Sequence, residues 1–154
     1  MTGRALGVDV GTVRVGVAAT DAAGVMAFPV ETVKAGRAAA VRVAEIAAER
    51  ESETVYVGLP RHMGGGEGES AAKARRFAAL LAERTPATVR LVDERRSTVS
   101  ASAAMHEAGR SARDQRSVID QAAAVVILEG ALEMVRAGTV ENMTDIVRPK
   151  GTHA

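Results

Sequence analysis

The chain has 154 residues, of which 47% are hydrophobic and 2% aromatic, and its 20 basic and 19 acidic side chains leave a formal net charge of +1. This length fits one domain with its own core, and the charge excludes the global basic excess of a histone-like protein. The sequence contains no cysteine, which excludes disulfides and thiolate zinc sites. No signal-peptide pattern or bilayer-length apolar run is present, so we expect a soluble, cytoplasmic protein.

The first third of the chain contains three stretches in which apolar residues alternate as they do in β-strands. They cover residues 4–10, 13–19 and 25–33, with a turn at Gly11 between the first two. Short connections between successive strands favour an antiparallel meander. Pro29 lies in the third stretch and has no amide hydrogen to donate, so we expect this strand at an edge of the sheet.

From residue 37 onward, helical and strand patterns alternate. Helical spacing predicts four helices: one over 37–50, one beginning at Ser70, one beginning at Ser97 or Thr98, and one over about 116–137. Stretches rich in β-branched residues predict two more strands, at 54–59 and 89–92. Alternating strands and helices favour parallel pairing. The sequence therefore predicts an α/β domain over residues 1–138, a five-stranded mixed sheet with helices on both faces. The tail over residues 139–154 has weak periodicity, and we expect it to be partly disordered.

Acidic residues fall where strands end and where the last helix begins. They are Asp9 near the end of the first strand, Asp93 and Glu94 after the fifth, and Asp120 at the start of the last helix. Burying an unpaired carboxylate costs on the order of several kcal/mol. Neighbouring strand residues point to opposite faces, so one of Asp93 and Glu94 can face a given site. Converging carboxylates suit magnesium or manganese, which can clamp the oxygens of a phosphodiester.

Each of these features also has a simpler interpretation. Asp9 could merely begin a turn, and Asp120 could stabilise a helix amino terminus, an effect of roughly 0.3–1 kcal/mol. Arginine, whose planar guanidinium group matches phosphate geometry, is frequent nearby, at Arg95, Arg96, Arg110, Arg113 and Arg116. Any one of these arginines could instead be an ordinary solvated side chain.

Four motifs in sequence order cover the chain to about residue 133. They are Gly7-Val8-Asp9-Val10-Gly11-Thr12 continuing to Ala18, then Val57-Gly58-Leu59-Pro60 with Met63 and Gly64, then Asp93-Glu94-Arg95 with Ser97 and Thr98, and then Val118-Ile119-Asp120-Gln121-Ala122-Ala123. As a set they resemble the motifs of the YqgF family, also called RuvX, which comprises pre-16S rRNA nucleases and Holliday junction resolvase-like proteins.

The resemblance implies a ribonuclease H-like fold and a nuclease that hydrolyses phosphodiester bonds with Mg²⁺ or Mn²⁺. By position it implies Asp9, Glu94 and Asp120 as the catalytic and metal-binding residues, which selects Glu94 over Asp93. We expect nucleic acid to be bound by five arginines, Arg14, Arg95, Arg110, Arg113 and Arg116. The implied role is maturation of precursor 16S ribosomal RNA. We expect a monomer or a weak homodimer, because no long exposed apolar stripe is left over for a stable interface once the sheet is covered.

Three other functions are compatible with parts of the pattern. The ribonuclease H-like fold is also that of a Holliday junction resolvase-like DNA endonuclease, and the acids do not by themselves exclude a non-catalytic module that binds ribosomes or nucleic acid. The first strand, turn and strand are also similar to the phosphate-binding hairpin of actin and Hsp70-type ATPases. That class needs two such domains around a nucleotide, which 154 residues cannot supply.

Overall fold

The computed structural model describes residues 3–60, 66–93, 112–138 and 146–147, with the backbone alone for 112–118. The strands are β1 (Ala5–Val10), β2 (Arg14–Thr20), β3 (Ala27–Lys34), β4 (Thr54–Leu59), β5 (Thr88–Asp93) and β6 (Ile146–Val147). The helices are α1 (Arg37–Glu49), α2 (Glu69–Ala82) and α3 (Ala112–Ala137). The helix predicted from Ser97 or Thr98 lies outside these described ranges.

The strands form one mixed sheet in the order β3-β2-β1-β4-β5-β6. The first three strands are antiparallel to their neighbours, whereas β1, β4 and β5 run parallel. Both predicted pairings are thus confirmed. Strand β3 lies at the sheet edge, as Pro29 predicts, and its register with β2 shifts between Val17 and Ala18, opposite the proline.

The described sheet has one strand more than the five that the sequence predicts. Strand β6 adds Ile146 and Val147 antiparallel to Arg90 and Val89 of β5. A two-residue strand is too short to show the alternation by which longer strands are recognised. The prediction of five strands was therefore wrong by this short edge strand, while the mixed α/β architecture is confirmed.

Helices cover both faces of the sheet, as predicted. Helices α1 and α2 pack on one face and enclose the larger apolar cluster, in which Leu6, Val8 and Leu91 are buried. Helix α3 packs on the other face against a smaller cluster, in which Ala18 and Tyr56 are buried. Successive strand residues thus alternate between an α1/α2 face and an α3 face, and each strand side chain can be assigned to one of them.

Two glycines allow α3 to lie directly on the central strands. A Cβ atom added to Gly7 of β1 would lie 2.6 Å from the carbonyl oxygen of Ala124, and one added to Gly16 of β2 would overlap the carbonyl oxygen of Asp120. No larger residue fits at either position without moving the helix. Glycine at these positions therefore fixes how close α3 lies to the sheet.

We predict that Gly16→Ala lowers the free energy of unfolding by about 1–3 kcal/mol, because the added methyl group overpacks the contact between strand and helix. Denaturant unfolding followed by circular dichroism measures the change. Gly130→Ala is the matched control, since an added Cβ at Gly130 in α3 meets no atom within 4 Å. Alanine is a better helix former than glycine by roughly 0.5–1 kcal/mol, so the control variant should be more stable. Equal stability of Gly16→Ala and the parent would contradict the close contact.

Candidate active site

The candidate site lies where the parallel strands β1, β4 and β5 end, next to α3. Asp9 is the penultimate residue of β1 and is paired in register with Gly16 of β2. Directly opposed residues of an antiparallel pair point to the same face of the sheet. Because Gly16 contacts Asp120 of α3, Asp9 and Asp120 lie on the same face. The structure thus brings together two of the three acidic residues predicted from the sequence.

Asp9 is a largely buried carboxylate with an acidic neighbour. Burial, and then repulsion by the charge of Asp120, raise the pKa of Asp9 to about 6. Both effects penalise the ionised form of the side chain. A cation bound between the two carboxylates would remove this penalty, so the local electrostatics favour cation binding.

Asp120 does not lie at the helix start that the sequence predicts. Helix α3 begins at Ala112 rather than near residue 116, which places Asp120 more than two turns inside it. The stabilisation of acids by the helix dipole falls off within the first turn, so it does not explain an acid at this position. Asp120 instead forms an ion pair with Arg14, whose Nε donates a hydrogen bond of 2.9 Å to Oδ2.

Arg14 is the first residue of β2 and lies on the α3 face, two residues before Gly16. Its side chain is 34% exposed and that of Asp120 is 22% exposed, so the pair lies at the rim of the site rather than in the core. The sequence predicts Arg14 as a nucleic-acid contact, and the structure places it beside an acidic residue of the candidate site. A binding role for Arg14 remains a prediction.

Asp93 lies on the opposite face from Asp9 and Asp120. In β5, Val89 and Leu91 pack in the α1/α2 cluster, whereas Val92 packs in the α3 cluster. Asp93 follows Val92 and therefore belongs with Val89 and Leu91. The neighbouring acid, Glu94, lies outside the described residues.

The other predicted site residues are placed only in part. Arg95 and Arg110 fall, like Glu94, in the part of the chain that the structure does not describe. Arg113 and Arg116 lie on the first turns of α3, where the backbone alone is described. Within the described residues, no group of three or more histidine, cysteine or acidic side chains could hold a metal ion, and of the three predicted acids only Asp9 and Asp120 are described there.

Two contacts next to the site could not be predicted from the sequence, although Gln121 and Thr12 belong to the motifs quoted above. Gln121, which follows Asp120, donates a 2.8 Å hydrogen bond from Nε2 to the hydroxyl of Thr32 in β3 and thereby fixes the helix beside the sheet. The amine of Lys73 in α2 lies 3.4 Å from the hydroxyl of Thr12, in the turn after Asp9. The members of each pair are 89 and 61 residues apart, so neither contact could be read from local spacing.

A mixed sheet with acids beside the ends of its parallel strands and one helix across that face defines a ribonuclease H-like protein. The chain belongs to the RuvX family, described as Holliday junction resolvase, whose family model matches residues 3–134. This confirms the family that the four motifs indicate, and with it the prediction of a nuclease, a hydrolase that acts on phosphodiester bonds. Among the helices of the described ranges, none is long and apolar enough to cross a membrane.

Curated relatives share about half of their residues with this chain. A protein of Streptomyces coelicolor is 54% identical over 138 residues, which are 87% of this chain and 82% of the relative. A protein of Nocardioides sp. is 49% identical over 138 residues, which are 86% of this chain and 88% of the relative. Both relatives carry the name "Putative pre-16S rRNA nuclease".

Two solved structures of Thermus thermophilus RuvC share the fold. RuvC in complex with a Holliday junction substrate superposes with a TM-score of 0.58 at 20% identity, over 89% of this chain and 97% of RuvC. A second RuvC structure gives a TM-score of 0.55 at 17% identity, over 88% of this chain and 97% of RuvC. These similarities confirm the ribonuclease H-like fold predicted from the motifs.

We predict that Asp9→Asn stabilises the metal-free protein at neutral pH. The folded pKa of Asp9, about 6, lies above its ordinary value of 3.8. Its contribution to stability is therefore complete below pH 3.8 and is lost as the pH rises through 6. Above pH 7 the variant should exceed the parent in free energy of unfolding by about 1–3 kcal/mol, and the two should converge near pH 3.8.

Thermal unfolding in chelator between pH 3.5 and pH 8 measures this difference. Asp21→Asn is a control of opposite sign, because backbone hydrogen bonds, first from Val25, lower the pKa of Asp21. The stabilisation that Asp21 provides is present at neutral pH and lost in acid. A difference between Asp9→Asn and the parent that does not change with pH would contradict the assigned pKa.

Proposed function

We propose that the chain is a divalent-metal-dependent nuclease that matures precursor 16S ribosomal RNA, with Asp9, Glu94 and Asp120 as its metal-binding and catalytic residues. The observation that carries this proposal is the meeting of Asp9 and Asp120 on the α3 face, where the two carboxylates repel each other. Family membership supports the reaction class, and the names of the relatives support the substrate.

The donor set fits Mg²⁺ or Mn²⁺. Carboxylate oxygens are the ligands that these hard cations prefer, and the described residues supply two of them, Asp9 and Asp120. Asp9 lies in β1 and Asp120 in α3, and the close approach of α3 at Gly16 places the two elements against each other. When bound, the metal would polarise the scissile phosphate and lower the pKa of an attacking water.

Glu94 completes the proposed set of acids. Alternation in β5 assigns Val92 to the α3 face and Asp93 to the α1/α2 face. Asp93 is therefore directed away from Asp9 and Asp120, which leaves Glu94, the acid that the family motif indicates, as the proposed third ligand. This argument from the strand supports the same choice as the family motif, Glu94 rather than Asp93.

The remaining work of this chain is to bind and orient the nucleic-acid backbone. Asp9 acts in its ionised form, which burial and Asp120 disfavour below about pH 6 and which a bound cation would restore. The proposed phosphate contacts are the five arginines Arg14, Arg95, Arg110, Arg113 and Arg116. A guanidinium group can donate two parallel hydrogen bonds to a phosphate, which fixes the register of the nucleic-acid strand without recognising its sequence.

A DNA junction is the second candidate substrate. The family description names Holliday junction resolvase, and one RuvC neighbour was solved with such a junction. Symmetric cleavage of a junction requires two sites related by a two-fold axis, whereas a monomer or weak homodimer suffices to cut one RNA strand. Side-by-side cleavage of precursor RNA and of a four-way junction, with sedimentation of the same sample, distinguishes the two. Paired nicking by a stable dimer with the RNA left intact would select the junction.

We predict that Asp9→Asn, Glu94→Gln and Asp120→Asn each reduce cleavage of precursor RNA by on the order of 10²-fold or more while the protein stays folded, because each removes one charged metal ligand. Single-turnover cleavage in Mg²⁺ and circular dichroism measure the two properties. Asp93→Asn is the matched control on the opposite face and should cleave like the parent. A folded, fully active Asp9→Asn variant, or cleavage in excess chelator, would refute the metal mechanism. Cleavage by none of the proteins, with binding retained, would identify a non-catalytic binding module.

We predict that replacing Arg110, Arg113 and Arg116 together by Ala weakens binding to all sequences alike. If each contacts one phosphate, the slope of log affinity against log salt should fall by about one per residue for a duplex substrate. Fluorescence anisotropy in Ca²⁺, which supports binding better than turnover, measures affinity and slope together. Arg42→Ala is the control variant, because Arg42 lies in α1, on the face opposite to α3, and forms an ion pair with Glu31. An unchanged slope in the triple variant would mean that the segment is solvated.

A further inference from the structure

Three ion pairs in the described part of the chain join arginine to a carboxylate at 2.7–2.9 Å, and they differ in geometry. Arg42 binds both oxygens of Glu31, through Nε and Nη2 at 2.9 Å each. Arg75 binds both oxygens of Glu67, at 2.7 Å each. Arg14 shares one hydrogen bond with Asp120, from Nε to Oδ2. Two parallel hydrogen bonds make a stronger and more specific pair than one, so the Arg14 pair is the most easily exchanged of the three.

The same pair is the one that lies in the candidate site. Asp120 is one of the two acids that the metal would need, and its Oδ2 atom is engaged by Arg14. A guanidinium group and a metal ion cannot use the same lone pairs of one oxygen at full strength. With Arg14 one-third exposed, its side chain can leave Asp120 for solvent without crossing the core.

The backbone of Arg14 is held by contacts that do not involve its side chain. The amide of Gly11 donates a 2.9 Å hydrogen bond to the carbonyl of Arg14, which closes the turn between β1 and β2. Arg14 is also paired in register with Lys34 of β3. Departure of the guanidinium group from Asp120 therefore needs side-chain rotation alone.

We propose that Arg14 is a built-in counter-ion of Asp120, which it neutralises in the metal-free protein and leaves when a divalent cation binds, and that the released guanidinium group then binds a phosphate of the substrate. The proposal rests on the metal site proposed above and adds an order of events to it. It explains why an arginine lies against an acid that the metal needs: the guanidinium group neutralises the charge of Asp120 until the cation arrives.

The two roles open to Arg14 predict opposite effects on metal affinity. As a counter-ion that competes with the metal, Arg14 weakens metal binding, so Arg14→Ala should bind Mn²⁺ about five- to tenfold more tightly than the parent. As a group that stays on Asp120 and orients it, Arg14 would strengthen metal binding, so the same variant would bind more weakly. Isothermal titration calorimetry of the metal-free protein with Mn²⁺ measures the sign, and Arg14→Gln serves if Arg14→Ala does not fold.

Lys34→Ala separates direct competition from a general change of charge. Lys34 lies opposite Arg14 in the sheet and is exposed, so its removal takes away one nearby positive charge without freeing Asp120. Its effect on Mn²⁺ affinity should be clearly smaller than that of Arg14→Ala. Equal effects of the two variants would overturn the proposal, because general electrostatics would then account for both.

Nuclear magnetic resonance of the guanidinium Nε groups provides the direct test. Addition of Mg²⁺ should shift the Arg14 Nε–H resonance, identified by its loss in Arg14→Ala, as its hydrogen bond to Asp120 breaks. The Arg42 Nε–H resonance is the internal control, because the bond of Arg42 to Glu31 has the same 2.9 Å length on the other face. An unmoved Arg14 resonance in protein that binds Mn²⁺ overturns the proposal and leaves the metal site intact. Failure of the parent and all variants to bind Mn²⁺ overturns both.

Discussion

The contact between α3 and the first two strands is the constraint on which the rest of the site depends. Without a Cβ atom at Gly7 and Gly16, the helix backbone reaches the sheet itself, and Asp120 arrives on the face where β1 carries Asp9. Either glycine replaced by a larger residue would move the helix outward and separate the two acids. The hydrogen bond from Gln121 to Thr32 fixes the same turn of the helix laterally. The close packing of α3 on the sheet therefore brings about the repulsion between Asp9 and Asp120.

Holding the buried carboxylate of Asp9 beside Asp120 lowers the stability of the fold, and other parts of the fold must offset this cost. The pKa of Asp9 is raised to about 6 because the fold buries its carboxylate and holds it close to the charge of Asp120. The large apolar cluster under α1 and α2 lies on the opposite face and contains most of the fully buried leucine, isoleucine and valine side chains. The bidentate pairs of Arg42 and Arg75 likewise lie away from the acids. Most of the large buried side chains therefore pack on the face opposite to Asp9 and Asp120.

Much of this fold follows from local sequence rules, and the exceptions have physical causes. Alternation and Pro29 suffice for the meander and for the edge position of β3, because both depend on neighbouring residues. The two residues of β6 form a strand only because β5 offers an unpaired edge, which no local pattern shows. Asp120 was predicted in the first turn of its helix, but the helix starts at Ala112, four residues earlier than the apolar pattern indicates.

At the candidate site, the sequence indicates the acidic residues and the family, but it does not indicate which side chains pair with those acids. Asp9 and Asp120 could be named as candidates from their positions in strand and helix, and the family model over residues 3–134 confirms the family that their motifs indicate. The pairing of Arg14 with Asp120 joins residues 106 positions apart and depends on how closely α3 lies on the sheet. The spacing of residues along the chain does not reveal how closely the helix lies on the sheet. For Asp93, alternation along β5 needs the packing of Val92 against α3 before it shows that this acid faces away from Asp9 and Asp120.

In the exchange proposed above, Arg14 would link metal binding to substrate binding in a way that the acids alone would not. An acidic site without a cation repels the phosphates it has to bind, and each carboxylate added for the metal strengthens that repulsion. An arginine that neutralises one acid in the absence of metal keeps the metal-free site less negative. The same arginine becomes a phosphate ligand once the metal takes over its partner, so metal binding adds two positive contributions to substrate binding rather than one. Metal and substrate should then bind cooperatively, and by linkage each should raise the affinity for the other by the same factor.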